Sequence, residues 1–296
     1  MISKFQADLG LLSVAVFWGT TFILSKLVVA EVPLPIFLFL RLTLAAVVLD
    51  LYALRFLKSL NSRTLLHGAV LGFFLYLTYL FQMWGIQYTT ASNAGFITGL
   101  FVVFVPVLGY VFFRFKPAIN VLTGIVLAVF GLLMLTGANP LRWNKGDLLV
   151  FVCAVTAAFH VVFMGKFAPQ HNVYLLTAAQ LSTVSLLTVL ALPFSQFNWA
   201  TMTANNGLIL VYLALFGTVY TFLMQTSMQR FTTTSRAALI FSTEPVFAAL
   251  FAYLIAGELL GLRGWIGGAL IVMGMVSAEL PWRVILTWMK PCKECK

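Results

Sequence analysis

A glutamate followed at once by a proline, Glu244-Pro245, lies inside the otherwise apolar stretch "RAALIFSTEPVFAALFAYLIAGELL". A carboxylate in such surroundings binds an amine or carries a proton, or it joins one helix to its neighbours through hydrogen bonds. Because proline has no N–H, we predict a helix break at Pro245, where the hydroxyls of Ser242 and Thr243 offer partners to the freed backbone groups. Glu244 and Ser242 are therefore candidates for the wall of a substrate cavity.

Further polar side chains recur within apolar stretches and suit a small polar ligand. An amide such as that of Gln82 or Gln225 offers donors and an acceptor, which fits a zwitterion or a flat polar molecule. The alternative role of all these side chains is hydrogen bonding or packing between helices. The candidate substrate-binding residues are Trp18, Tyr76, Tyr79, Gln82, Asn93, Thr98, His160, Thr221, Gln225, Ser242 and Glu244.

Two basic residues, Lys26 and Arg41, fall near the outer ends of the first two apolar stretches, with Glu31 nearby. Together with Glu244 they are candidates for a gate or for coupling. The alternative for both is that their side chains snorkel to the membrane interface. Pro106, in "SNAGFITGLFVVFVP", predicts a second helix break that pairs with the one at Pro245.

The sequence contains none of the motifs that would make this chain an enzyme. H-E-x-x-H, a nucleotide-binding glycine-rich loop and a nucleophile elbow are absent. We expect no enzyme activity, no cofactor and no metal, since His160 has no second ligand at a suitable spacing. Cys292 and Cys295 form "CKEC" near the end of the chain, which is half a metal site, a redox pair or a solvated tail with reduced thiols.

The composition identifies the elements that must position these residues. The chain of 296 residues is 61% hydrophobic and 9% charged, with a mean hydropathy of +1.01. Soluble domains are about 25% charged, so lipid must be part of the solvent. The fold class we predict is an all-α, polytopic membrane protein with ten spans, at residues 9–30, 35–55, 65–87, 93–113, 118–137, 147–167, 173–193, 207–229, 236–256 and 263–281.

The net charge of +10 has its origin in the loops between these stretches. With both termini in the cytoplasm, nearly all loop Lys and Arg residues fall on the cytoplasmic side, as the positive-inside rule requires. The charge therefore predicts a multi-pass protein of the cell inner membrane, not a nucleic-acid partner. The partners we expect are membrane lipid and a small-molecule substrate, with the chain a monomer or a weak homo-oligomer.

The chain contains an internal repeat. "YTTASNAG" from Tyr88 and "FTTTSRAA" from Phe231 are 143 positions apart (231 − 88), whereas nearer the start of each copy the offset is 139. We predict five-helix repeats at residues 1–138 and 146–283, a linker at 139–145 and a basic cytoplasmic tail at 284–296. Five helices per copy make the second copy inverted, an arrangement typical of secondary transporters. The matched positions are Gln82 and Gln225, Gly124 and Gly267, Gly131 and Gly274, Asp8 and Asp147, and Arg41 and Gln180.

Three stretches carry a family resemblance. They are "FWGTTFILSK", "YTTASNAGFITGLFVVFVP" and "STEPVFAALFAYLIAGELLGLRGWIGGALIVMGM", the last with an acid-Pro pair, a Gly-Glu pair and a glycine-rich final helix. Over essentially the whole chain the sequence resembles EamA-type transporters of the drug/metabolite transporter superfamily. The resemblance implies ten helices in an inverted repeat, alternating access and movement of small metabolites, as in bacterial aromatic amino-acid exporters.

Our first hypothesis is a secondary transporter that exports amino acids or related small metabolites. The alternatives are a multidrug, nucleoside or cofactor transporter of the same fold, and a membrane enzyme.

Overall fold

The structure, a computed structural model, describes residues 2–89, 91–137, 144–194, 202–257 and 261–279. Nearly all of these residues are helical, and no strand occurs among them. The helices are α1 (Lys4–Val29), α2 (Leu34–Ala53), α3 (Ser62–Ile86), α4 (Ala91–Gly99), α5 (Phe101–Phe113), α6 (Ile119–Thr136), α7 (Lys145–Phe167), α8 (Val173–Thr188), α9 (Ala204–Ala214), α10 (Thr221–Met228), α11 (Thr234–Phe241), α12 (Glu244–Ala256) and α13 (Leu262–Glu279).

The predicted fold class is confirmed. Among the described residues, 8 helical stretches are long and apolar enough to cross a membrane, and two shorter apolar helices, α8 and α13, complete ten spans. Three spans are composite. The fourth is α4 with α5, the ninth is α11 with α12, and the eighth joins α9 to α10 through a π-helical turn, Leu215–Tyr220.

Some predicted parts of the chain lie outside this description. The linker predicted at 139–145 is described only at its last two residues, 144 and 145. The tail predicted at 284–296, with Cys292 and Cys295, lies wholly outside the described residues, as does Glu258.

Contacts between helix ends define two faces of the helical bundle. At the N-terminal face, where α1 begins, Arg236 at the start of α11 donates a hydrogen bond to Asp8 at 2.7 Å. At the opposite face, where α1 has ended, Asn206 of α9 donates to Glu31 at 2.7 Å, and Thr89 donates to Asp147 of α7. In each half, therefore, an acid at the start of the first helix contacts the start of the other half's fourth span.

The last helices of the two halves, α6 and α13, pack through glycines. A Cβ on Gly124 would lie 2.5 Å from the carbonyl oxygen of Gly274, and one on Gly267 would lie 2.6 Å from that of Gly131. Gly267 and Gly274 are the repeat equivalents of Gly124 and Gly131. Reciprocal contacts of this kind are the mark of a two-fold relation, so α6 and α13 meet at the pseudo-two-fold axis.

The fourth and ninth spans are interrupted at equivalent positions. Between α4 and α5 only Leu100 is non-helical, and the α11–α12 break falls at Ser242 and Thr243. Thr243 is 143 positions after Leu100, the offset of the repeat. The break predicted at Pro245 is thus present just before that residue, which occupies the first turn of α12, where proline is tolerated.

The break predicted at Pro106 is wrong. Pro106 lies inside the continuous helix α5 and is buried, while the interruption falls six residues earlier at Leu100. A proline disturbs mainly the turn that precedes it, from Val102 onward, and neighbouring helices can satisfy the one carbonyl that it frees. The position of the break follows the two-fold relation of the halves and not the proline.

The glycine contacts between α6 and α13 predict that Gly267→Ala destabilises the protein by about 1–3 kcal/mol, the usual cost of overpacking, because the new Cβ collides with backbone atoms. Thermal unfolding of the detergent-purified protein, followed by size-exclusion chromatography of heated samples, measures this. Gly207→Ala is the matched control, since a Cβ there meets no atom within 4 Å. Equal unfolding temperatures for the two variants would contradict the packing described.

Candidate functional site

A cavity of about 730 Å³ lies between the helices of both halves. It begins in the middle of the bundle at His160 and Gln225 and extends to Val29 and Leu34, where α1 ends and α2 begins. The cavity therefore runs from the centre of the bundle toward the opposite face. Its polar lining consists of Thr21, Ser25, Arg41, Thr78, Tyr79, Gln82, Thr98, His160, Gln225 and Glu244.

Toward the N-terminal face the bundle is closed. Leu11 and Val14 of α1 are fully buried in a core cluster that includes Leu239 and Ile240 of α11. The ion pair between Asp8 and Arg236 joins the same two helices nearer that face. The described residues thus enclose the cavity on one side with apolar packing and an ion pair.

The break in the ninth span positions Glu244 on the cavity. Ser242 and Thr243 donate their hydroxyls to the carbonyls of Leu239 and Ile240, at 2.7 and 2.6 Å, which satisfies backbone groups at the end of α11. Glu244 then occupies the first turn of α12, where the helix dipole favours a negative charge. Its carboxylate forms no hydrogen bond or ion pair with the described residues, so it is available to a ligand in the cavity.

Arg41 lines the same cavity, and its side chain does not snorkel to the interface, which was the alternative to a gate or coupling role. The side chain is only 5% exposed and donates hydrogen bonds to the eighth span, from Nε to Thr218 Oγ1 and from Nη2 to the Gly217 carbonyl, both at 3.0 Å. The π-helical turn supplies these acceptors and holds the guanidinium inside the protein. Glu31, the acid expected beside it, instead accepts from Asn206.

Amide and imidazole groups form the inner end of the cavity. Gln225 is fully buried and donates to Gln229, which in turn donates to the Val161 carbonyl at 2.5 Å. The Gln225 Oε1 atom is buried and has no hydrogen-bond partner among the described residues. His160 shares a hydrogen bond of 2.9 Å with Gln180.

The rest of the wall is apolar and rich in aromatic rings. Trp18 packs against Phe222 and Phe241, with ring centroids 5.8 and 5.3 Å apart. Phe37 and Phe101 complete the aromatic lining. A ligand with a polar head and an apolar or ring-shaped body matches such a cavity.

The structure brings together most of the predicted site residues, but not all. Trp18, Tyr79, Gln82, Thr98, His160, Gln225, Glu244 and the gate candidate Arg41 line the cavity. Tyr76, Thr221 and Ser242 do not line the cavity. The hydroxyls of Thr221 and Ser242 instead donate to backbone carbonyls one turn back. The side chains of Lys26 and Asn93 lie outside the part of the chain that the structure describes.

Two features of the site escaped the sequence analysis. On α3 the cavity is lined by Leu75, Thr78, Tyr79 and Gln82, an i, i+3, i+4, i+7 stripe from which Tyr76 is displaced to one side. That stripe was available from the sequence. Phe101 was not chosen because one more Phe among 28 carries little information, yet it is the repeat equivalent of Glu244.

The cavity therefore contains a guanidinium, that of Arg41, and a carboxyl group, that of Glu244, which do not pair with each other. Tyr79 lines the same cavity as both groups. Among the described residues no group of three or more His, Cys, Asp or Glu could hold a metal ion. The arrangement can bind a small molecule with a negative and a positive group.

Comparison with known proteins gives a consistent picture. The EamA-like transporter family matches the chain twice, over residues 5–137 and 144–278. An uncharacterized transporter of Archaeoglobus fulgidus is 31% identical over 281 residues, which are 94% of this chain and 87% of that protein. The uncharacterized transporter YetK of Bacillus subtilis is 27% identical, over 87% of this chain and 82% of its own.

A solved crystal structure superposes on 96% of this chain and 99% of its own, with a TM-score of 0.81. The sequence identity is 19%, so the likeness shows the fold alone.

The geometry of the cavity predicts how single cysteines react in a variant whose three native cysteines are replaced. A membrane-impermeant maleimide added at the opposite face should label Ser25→Cys, because Ser25 lines the cavity, and should leave Val14→Cys unlabelled, because Val14 is 0% exposed. The two positions are on the same helix, so each controls for insertion of the other. Equal labelling of both from either face would refute the open and closed sides described.

Proposed function

The chain belongs to the EamA-like transporter family, and from that premise we propose that it is a secondary transporter exporting amino acids or related small metabolites across the cytoplasmic membrane by alternating access. The observation that supports this substrate class best is that a guanidinium and a carboxyl group line one cavity without pairing with each other. An ion inside a membrane protein is costly unless a partner compensates it. A zwitterion supplies both partners at once, a carboxylate for Arg41 and an ammonium for Glu244.

The size and lining of the cavity agree with such a substrate. A volume of about 730 Å³ lies within the usual range of small-molecule sites, about 300–1,000 Å³. The rings of Trp18, Phe222 and Phe241 provide an apolar surface for a substrate side chain.

The direction of transport rests on the distribution of basic residues. If both termini are cytoplasmic, as the positive-inside rule favours, the N-terminal face is cytoplasmic and the cavity faces outward. The described conformation is then the outward-facing state of an alternating-access cycle. Loading from the cytoplasm requires the N-terminal face to open, which means separating α1 from α11.

A second candidate substrate class is an amphipathic drug, nucleoside or cofactor. The aromatic wall around Trp18 favours it, since rings stack on such molecules irrespective of a carboxylate. The Glu244 carboxylate would then bind an organic cation, and Arg41 would have only a structural role.

The test is uptake by proteoliposomes across amino acids, nucleosides and cationic dyes. We expect amino-acid transport that Arg41→Gln and Glu244→Gln each reduce by about thirtyfold or more at low substrate concentration, because losing one partner of a buried charge pair costs about 2–5 kcal/mol. Gln82→Leu and Gln225→Leu should also reduce it. In cells, expression should confer tolerance to toxic amino-acid analogues.

Asp50→Asn is the matched control for Glu244→Gln. Asp50 is another acid within a span, but it accepts hydrogen bonds from Ser182 at 3.0 and 2.8 Å and does not line the cavity. If no amino acid moves in either direction, the amino-acid assignment is wrong. If Glu244→Gln keeps both the rate and the pH profile of the wild type, Glu244 does not couple transport to protons.

Alternating access also predicts an effect of the ion pair at the N-terminal face. Asp8→Asn should weaken the closure between α1 and α11, since it removes the charge that faces Arg236. Val14→Cys in that background should then react several-fold faster with a maleimide added at the N-terminal face. Asp147→Asn alters the contact with Thr89 at the opposite face and should leave Val14→Cys protected. Unchanged protection in both backgrounds would show that the ion pair does not limit opening.

A further inference from the structure

The eighth span is not a regular α-helix where it passes Arg41. Residues Leu215–Tyr220 form a π-helical turn, whose wider i→i+5 bonding displaces backbone carbonyls from their normal partners. Thr218 compensates one of them by donating its hydroxyl to the Leu213 carbonyl, five residues back, at 3.0 Å. The turn thus presents oxygen atoms to its surroundings at a depth where lipid could not satisfy them.

These oxygens hold the Arg41 guanidinium. Thr218 Oγ1 accepts from Nε, and the Gly217 carbonyl accepts from Nη2, both at 3.0 Å. Position 217 is packed closely, since a Cβ on Gly217 would lie 3.1 Å from Arg41 Nη2 and 2.7 Å from Thr21 Cγ2. The guanidinium is therefore fixed by two bonds and by the walls around it.

Arg41 keeps unused hydrogen-bonding capacity on the cavity side. A guanidinium has five N–H donors, and two are engaged, so three make no hydrogen bond to the described residues. Both engaged acceptors are neutral, and no carboxylate among the described residues pairs with Arg41. A positive charge that is 5% exposed without an anionic partner leaves room for an anion supplied by a ligand.

The π-helical turn coincides with a one-residue insertion. The N-caps of the third and eighth spans, Asn61 and Thr203, are 142 positions apart (203 − 61), whereas Gln82 and Gln225 are 143 apart. The eighth span therefore contains one more residue between its cap and its glutamine, and a π-helical turn accommodates one extra residue.

The symmetry-related contact between the two halves has no equivalent of this arrangement. At the repeat position of Thr218 it has Leu75, and at that of Arg41 it has Gln180, which bonds to His160. The insertion and the hydroxyl are in the second half and the charge is in the first, and they meet at only one of the two symmetry-related contacts between the halves. Neither the two-fold packing nor membrane insertion requires them.

We propose that the π-helical turn Leu215–Tyr220 is a positioning element that holds Arg41 so that its remaining N–H groups bind a carboxylate of the transported molecule. Thr218 is its positioning residue, because it fixes Nε and leaves the outer edge of the guanidinium free for two parallel N–H···O bonds. The inference rests on the proposed function, since the carboxylate belongs to the substrate.

The experiment compares ligands with and without a carboxylate. Binding of phenylalanine, phenylalaninamide and phenylacetate to the purified full chain is measured by calorimetry for the wild type, Thr218→Val, Thr218→Ser and Thr226→Val. Thr226 is a matched control, since its buried hydroxyl also accepts from another helix, from Thr177, and donates to its own backbone, but it does not touch Arg41.

We expect the wild type to bind phenylalanine about tenfold or more tightly than phenylalaninamide, equivalent to about 1.4 kcal/mol. Thr218→Val should still bind phenylalaninamide as the wild type does but lose the preference for the acid. Thr218→Ser, which restores the hydroxyl, and Thr226→Val should retain it. If Thr218→Val merely damaged the fold, the binding of all three ligands would fall together. Thr218→Ser would then not restore the binding of the two carboxylates alone.

The remaining outcomes separate the two proposals. Binding of phenylacetate but not phenylalanine would support the carboxylate site and overturn the amino-acid assignment. Equal binding of phenylalanine and phenylalaninamide by the wild type would overturn the carboxylate site and leave the amino-acid assignment standing. A Thr218→Val variant that keeps the full preference, or a wild type that binds neither carboxylate, would also overturn the inference.

Discussion

Hydrocarbon offers no hydrogen bonds, and this constraint explains where the helices of this protein depart from regular geometry. Among the described residues, the departures away from the span ends occur at Leu100, at Ser242 and Thr243, and in the π-helical turn Leu215–Tyr220. Each adjoins the cavity, either directly or through Arg41. At the last two sites hydroxyl groups of the same segment donate to backbone carbonyls. Away from the span ends, the irregular backbone of the described residues thus lies next to the cavity.

The two halves share their packing but not their chemistry. The glycines of α6 and α13 contact each other reciprocally, and the fourth and ninth spans are broken at equivalent residues, so the frame is two-fold. Within the frame, Glu244 corresponds to Phe101 and Arg41 to Gln180. Because the frame is symmetric, the two halves can exchange conformations, so that the cavity opens first to one face of the membrane and then to the other. An asymmetric lining lets one cavity present a positive and a negative group to the two ends of one molecule.

The sequence was sufficient for the features that depend on composition and local pattern. Ten apolar stretches became ten spans, and Gln82, Gln225 and Glu244 all reached the cavity, because repeat equivalence and the cost of intramembrane charge are readable from residue types. The sequence was insufficient where a single residue changes the geometry of a helix. The π-helical turn shifts the face of the eighth span, and with it the environment of Arg41, through an insertion that appears only when the helix caps are aligned. The helix break predicted at Pro106 was wrong because, among neighbouring helices, a proline is tolerated that would break an isolated helix.

The two unpaired charges also bear on which conformations the protein can visit under the proposed function. While the cavity is open, water can solvate Arg41 and Glu244. Closing an empty cavity would strip that water and leave two buried ions without partners, at several kcal/mol for each. A bound zwitterion provides both partners and removes most of that cost, so it lowers the energy of the closed state relative to the open one. A ligand shifts a conformational equilibrium only by such a difference in interaction. The charges that select the substrate would therefore also make closure depend on its presence, which suppresses cycling by the empty protein.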